Sequence, residues 1–131
     1  MVKRIEWGGR PGSNEGPIDL YKIYESLNNF FTNQMTNIKK LITGEEGYWE
    51  ILGEDQKEDL RTLIEYSDSG VIQPHILDGL TPEEEKQIRR VVIKNKQPEN
   101  LQELKAFGRG LEKIANKIKA RSEETKPKWG N

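Results

Sequence analysis

The sequence predicts an all-α protein, a bundle of about four helices with an extended N-terminal arm and a C-terminal tail. Hydrophobic and charged residues each make up 33% of the 131 residues, a balance typical of amphipathic helices. Leu, Ile, Lys and Glu are frequent and β-branched runs are few, which favours helices over strands. The length fits one domain, which we divide into an arm (1–17), a bundle (18–121) and a tail (122–131).

The clearest helix is predicted over residues 18–43. Its apolar residues follow one another at intervals of three or four, which forms one stripe along a helix. Pro17 precedes it and Gly44 follows it, as is common at these two ends of a helix. We expect the stripe to belong to the bundle core. Its members are Leu20, Tyr24, Leu27, Phe31, Met35, Ile38 and Ile42.

An acidic segment, residues 45–68, comes next, with nine acidic and two basic side chains. Within it, "EDLRTLIEY" predicts a short helix whose apolar side is formed by Leu60, Leu63 and Ile64. The stretch "SDSGVIQPHILDG" that follows predicts a loop or a short extended piece.

A strong helix start lies at residue 81. Thr81 is a suitable N-cap, Pro82 a suitable first helical residue, and Glu84 the reciprocal partner of a capping box. "KQPEN" then predicts a loop before a last helix, which we expect to run to about residue 121. The apolar stripe of this last helix comprises Leu101, Leu104, Phe107, Leu111, Ile114 and Ile118.

The residues that most enzymes need are scarce. The chain has no cysteine, and its one histidine, His75, lies between a proline and an apolar pair, where a structural role is expected. Acidic pairs are abundant but lie in the most polar segment, whereas a catalytic pair needs apolar surroundings. "DQKED", "TGEEGY" and "WGGRPG" lack the features of a calcium loop, a P-loop and a dinucleotide-binding motif. We therefore predict a protein that is not an enzyme, with no cofactor, no metal site and no small-molecule substrate.

Charge is unevenly distributed along the chain. Residues 1–85 carry a net charge of -9 and residues 86–131 a net charge of +8. Such a chain can pair its charges internally, pair head to tail with a second copy, or offer its basic end to a polyanion. The longest apolar run is "VVI" at 91–93, so no membrane span is predicted.

Five basic residues of the last helix recur at a spacing of four. Like charges at this spacing destabilise a helix, and only Glu112 is well placed to compensate. We expect their partner elsewhere, either in the acidic segment of this or a neighbouring chain or in nucleic-acid phosphate. This C-terminal cationic row comprises Lys105, Arg109, Lys113, Lys117 and Arg121.

Gly108 and Gly110 lie within the same helix, where each glycine costs about 1 kcal/mol relative to alanine. They indicate a bend, a close helix–helix approach or a turn. A turn at Gly108 would make a helix-turn-helix, and the protein a small nucleic-acid-binding regulator that uses Arg109, Lys113, Lys117 and Arg121. Leu104 and Lys117 fit that motif poorly.

The helix over 18–43, the arm "WGGRPGSNEGP", the opposite charges of the two halves and the basic last helix together resemble a known class of proteins. They are similar to the coat proteins of rod-shaped, filamentous and spindle-shaped viruses of hyperthermophilic archaea, especially the capsid proteins of large tailed spindle-shaped viruses. The resemblance implies a helical-bundle subunit whose arm contacts neighbours in a lattice around double-stranded DNA.

From this resemblance we expect a self-assembling virion protein, located in the virion or otherwise in the host cytoplasm. Trp7 and Trp129 are candidate anchors that dock either onto the chain's own body or onto a neighbour. A net charge of -1 cannot neutralise wrapped DNA. Any DNA contact must therefore be local, through the C-terminal cationic row helped by Lys3, Arg4 and Arg10.

Overall fold

The computed structural model describes residues 19–45 and 50–125. It contains four helices and, within these residues, no strand, which confirms the predicted all-α bundle. The helices are α1 (Leu20–Thr43), α2 (Glu54–Asp68), α3 (Pro82–Val92) and α4 (Leu101–Thr125).

Successive helices alternate in direction. The C-terminal end of α1 lies at the start of α4, because Gly44 approaches the Leu101 side chain. Helix α3 also runs antiparallel to α4, and α2 antiparallel to α3, with Lys57 near Asn95. The most extensive packing is between α1 and α4, and α3 packs on another side of α4.

Helix α1 begins at Leu20, two residues after the predicted start, and has the predicted C-terminal end and core face. The Asp19 carboxylate accepts from the Lys22 amide at 3.4 Å, and Gly44 closes the helix in the left-handed conformation, φ 85°. This conformation is the reason for a glycine at this position. Tyr24, Leu27, Phe31 and Ile38 of the stripe are fully buried, as is Leu41, whereas Leu20, Met35 and Ile42 are partly buried.

Helix α2 is longer than the segment that "EDLRTLIEY" predicts. It begins at Glu54, where the Gln56 side chain accepts the Gly53 N–H at 3.0 Å and so satisfies one of the free donors of the first turn. Two acidic residues, Glu54 and Asp55, lie at the positive end of the helix dipole. Hydrophobic periodicity does not reveal this polar first turn, because none of its side chains enters the core.

Helix α3 begins as predicted. The Thr81 N–H donates to Glu84 Oε1 at 3.0 Å and the Glu84 N–H donates to Thr81 Oγ1 at 3.2 Å, so both halves of the capping box are formed. The loop of residues 69–81 that precedes α3 contributes Ile72, Ile76 and Leu77 to the core. None of the described helices has the length and apolar composition needed to cross a membrane.

Helix α4 is continuous through both glycines and ends at Thr125, four residues beyond the predicted end. A Cβ atom on Gly108 would lie 2.7 Å from Leu41 Cβ and 2.9 Å from the Ile42 backbone nitrogen. On Gly110 it would lie 2.8 Å from Ile88 Cγ1. Close approach of α1 and α3 to α4 therefore explains both glycines. The alternative of a helix-turn-helix with its turn at Gly108 is wrong.

Candidate functional site

Two members of the C-terminal cationic row are bound to a carboxylate of the same chain. Arg109 Nε donates to Glu84 Oε2 at 3.1 Å, and Lys113 Nζ donates to Glu84 Oε1 at 2.7 Å. Burial alone would raise the pKa of Glu84, but hydrogen bonds from Lys113, the Thr81 amide and Arg109 outweigh it and lower that pKa. Glu84 thus joins α3 to α4 and caps α3 at the same time.

The other members of the row differ from these two. Arg121 Nη2 donates to the carbonyl oxygens of Gln73, at 2.6 Å, and Pro74, at 3.3 Å, in the loop before α3. Lys105 and Lys117 form no ion pair with any described residue. The expectation that the row finds its partner in the acidic segment or in nucleic-acid phosphate is wrong for Arg109 and Lys113, whose carboxylate is Glu84 of α3 in the same chain. It was wrong because Glu84 approaches only when α3 folds against α4.

Among the described residues, the two ion-paired cations of the row receive no carboxylate from the acidic segment. Its last member, Asp68, accepts two hydrogen bonds from Arg89 of α3, at 3.1 and 3.0 Å. Glu112, the one glutamate that seemed placed to compensate the row, instead lies 4.0 Å from Lys39 of α1. Both observations place ion pairs between helices rather than along α4.

The proposed anchors Trp7 and Trp129 lie outside the described residues, as do Lys3, Arg4 and Arg10. Their roles in assembly and in DNA contact stay predictions.

His75 has a partner on each ring nitrogen. Its Nδ1 accepts the Leu77 N–H at 3.1 Å, so the proton lies on Nε2, which is 2.6 Å from Asp68 Oδ1. The hydrogen bonds from Arg89, with a further one from His75, lower the pKa of Asp68 to about 2. This cluster joins α2, the loop before α3, and α3, in agreement with the structural role expected for His75.

A cleft on the outer side of α3 is lined by cations alone among the described residues. It encloses about 400 Å³ and is open to solvent. We refer to it as the α3 cationic cleft. Its lining residues are Lys86, Arg89, Arg90, Lys94 and Lys96.

The fold of α3 brings these side chains together. Ile88, Val91 and Val92 are buried against the bundle. Arg89 and Arg90 follow Lys86 by three and four residues, so all three lie on the opposite, outer side of the helix. After the helix, Asn95 adopts the left-handed conformation, φ 58°, which asparagine tolerates better than most residues. The Lys96 N–H then donates to the Arg90 carbonyl at 3.0 Å, which returns Lys96 to the cleft.

The two arginines of the cleft are engaged by carboxylates. Besides its two hydrogen bonds to Asp68, Arg89 donates to Glu85 Oε2 at 3.1 Å. Arg90, whose side chain is only 17% exposed, lies 3.3 Å from Glu99 and 3.6 Å from Glu103.

The three lysines are different, because each is exposed and none forms an ion pair within the described part of the chain. Lys86, Lys94 and Lys96 therefore carry charge that is available to a ligand.

The sequence carried a signal for this cleft that the search for regular spacing missed. Residues 86–96, "KQIRRVVIKNK", contain five basic residues and no acidic one. The C-terminal cationic row is less dense, since residues 105–121 include Glu112. The basic residues of 86–96 are unevenly spaced because the last two follow the end of α3.

Comparison of the chain with protein-family models, with curated proteins and with solved structures gave no match. Within the described residues, no three histidine or acidic side chains are grouped so as to hold a metal ion. Among the described residues, the α3 cationic cleft is the feature whose geometry and charge suit a ligand.

Proposed function

We propose that the protein is a non-catalytic nucleic-acid-binding protein whose contact surface is the α3 cationic cleft. The observation that carries the proposal is a cleft of about 400 Å³ lined by five cations, three of which have no ion partner in the described part of the chain. A surface of this kind attracts nucleic-acid phosphate, and binding releases the counter-ions that surround the polymer.

The number of available cations sets the salt dependence of binding. Lys86, Lys94 and Lys96 provide three phosphate contacts, which predicts a slope of log K against log salt of about -2.7 on duplex DNA. Affinity should then fall about 40-fold between about 50 and about 200 mM salt. Binding through the whole C-terminal cationic row would instead give a slope of about -4.5.

Fluorescence anisotropy of a labelled duplex, measured from about 25 to about 200 mM salt, tests the proposal. The variant K86Q/K94Q/K96Q should lose binding, because it removes the three unpaired charges of the cleft. The matched control K105Q/K117Q/K119Q removes the same charge from α4 and should bind like the native protein. Far-UV circular dichroism should show both variants folded, since the cleft lysines are exposed.

Equal loss of binding in the two variants would contradict the proposal, because the net charge and not the cleft would then decide affinity. Loss in the α4 variant alone would assign the contact to the C-terminal cationic row.

A self-assembling virion coat subunit is the second candidate. The observation that favours it is the opposite charge of neighbouring helices: Glu54, Asp55 and Glu65 of α2 are exposed without an ion partner in the described part, beside the basic α3. These two surfaces suit a head-to-tail contact between copies, which forms filaments unless its rotation closes a ring. Trp7 and Trp129 would act as anchors between subunits, in a virion lattice around double-stranded DNA.

Light scattering of the full chain and of a chain lacking residues 1–17 tests this candidate. The coat proposal expects large assemblies of the full chain and their loss on removal of the arm. A monodisperse monomer at all concentrations would contradict it.

A further inference from the structure

We infer that the α3 cationic cleft binds the backbone of a double-stranded nucleic acid through three lysines, without reading base sequence. This inference rests on the proposed nucleic-acid-binding function and specifies its ligand class and its mode of recognition.

The engaged arginines argue against base reading. Arginine reads guanine by presenting two N–H groups to the base edge. Arg89 already presents two to Asp68, and the side chain of Arg90 is only 17% exposed and lies beside Glu99 and Glu103. Base contact would first require these ion pairs to break.

The free cations of the cleft are lysines, which act as flexible point charges. An ammonium group carries three donors but lacks the planar fork that matches a carboxylate or a base edge. Lys86, Lys94 and Lys96 thus suit phosphate oxygens, whose positions repeat along the backbone whatever the sequence.

The lining of the cleft also distinguishes between double and single strands. Proteins that bind single strands without sequence preference stack bases on aromatic side chains. No aromatic residue of the described part of the chain lines the cleft. Among the described residues, a single strand would therefore find electrostatic attraction there but no aromatic side chain for stacking.

Charge density favours the duplex as well. Lys86 lies six residues before Val92, the last residue of α3, which corresponds to about 9 Å along the helix, and Lys94 follows two residues later. A duplex presents roughly five charges over about 9 Å and one strand about half as many. Three lysines close to this segment consequently meet more phosphate on a duplex.

Competition between labelled probes of equal length tests the inference: an A·T-rich duplex, a G·C-rich duplex and a single strand of mixed sequence. The two duplexes should bind within about twofold of each other, well below the tenfold or larger effect typical of a mismatched specific site. The single strand should bind at least about fivefold more weakly, because it offers about half the charge and the described lining of the cleft has no aromatic side chain on which its bases could stack. K94Q should make the duplex salt slope shallower by about 0.9, whereas K119Q should leave it unchanged.

The outcomes separate the inference from the proposed function. Binding with a preference for the single strand, or with a tenfold preference between the duplexes, would overturn the inference and leave the proposed function standing. No binding to any probe at about 25 mM salt by a protein that circular dichroism shows to be folded would overturn both. A slope unchanged in K94Q would show that the cleft is not the contact.

Discussion

Removing the two cations that hold Glu84 should destabilise the protein more than removing Glu84 itself. Its carboxylate is only 4% exposed, whereas the side chains of its partners Arg109 and Lys113 are 44% and 40% exposed. R109M/K113M leaves a buried carboxylate with the Thr81 N–H as its remaining donor. E84Q leaves two cations that water can reach.

The magnitudes follow from this difference in exposure. Breaking a buried ion pair so that one charge stays buried costs about 3–5 kcal/mol, so R109M/K113M should lower the free energy of unfolding by about 3 kcal/mol. In E84Q the glutamine oxygen can still accept the Thr81 N–H, and the loss should be about 1–2 kcal/mol. The control K105M/K117M removes two cations that form no described ion pair and should change stability by less than about 0.5 kcal/mol.

Urea unfolding followed by far-UV circular dichroism measures these differences. The stabilisation of a carboxylate with a lowered pKa is complete above its unfolded pKa and is lost as the pH falls through its folded pKa. In R109M/K113M burial should hold the pKa of Glu84 above its ordinary value of 4.5, whereas in the native protein it is lowered. The gap between the two proteins should therefore be largest near neutral pH, begin to shrink as the pH falls through the raised pKa of the variant, and continue to shrink below 4.5. A double variant as stable as E84Q, or a gap independent of pH, would refute the reasoning.

Two further variants follow from the packing and the ion pairs. G108A should lower the free energy of unfolding by about 1–3 kcal/mol in urea titrations. The added methyl group meets Leu41 Cβ at 2.7 Å and overpacks the α1–α4 contact, which outweighs the better helix propensity of alanine. A more stable variant would contradict the close approach of the two helices. E99Q/E103Q should release Arg90 as a fourth phosphate contact and make the duplex salt slope steeper by about 0.9 in anisotropy titrations. An unchanged slope would show that Arg90 cannot reach the ligand.

Local features of the fold were readable from the sequence because local interactions determine them. The apolar stripe of residues 18–43, the glycine at 44 and the capping box of Thr81 and Glu84 all occur as predicted. Each depends on residues within a few positions of one another, and their spacing alone determines which side chains meet. The start of α2 was missed because its N-cap is a glycine, Gly53, whose N–H is accepted by the Gln56 side chain, a weak sequence signal.

Long-range contacts were less accessible. Glu84 was assigned to the helix start, and its ion pairs with residues 25 and 29 positions away appear only when α3 packs on α4. Gly108 left three structural alternatives open, and only the distance to α1 distinguishes between them.

The candidate site illustrates the same difficulty. Regular spacing drew attention to the C-terminal cationic row, whereas the charge available to a ligand depends on which cations are already paired. Arg90 pairs with Glu99 and Glu103 across the loop that connects α3 to α4, and Lys96 reaches the cleft because Asn95 adopts the left-handed conformation. Neither contact follows from helical periodicity. The sequence signal for the cleft is the density of charge in residues 86–96.

Amide chemical-shift mapping by NMR tests the central claim directly. Isotope-labelled protein is titrated with a short double-stranded DNA at low salt. The account predicts that the largest shifts occur at Lys86, Lys94 and Lys96, and that α1 and the C-terminal cationic row change little. Shifts concentrated along residues 105–121, or no shifts at all in the folded protein, would contradict it.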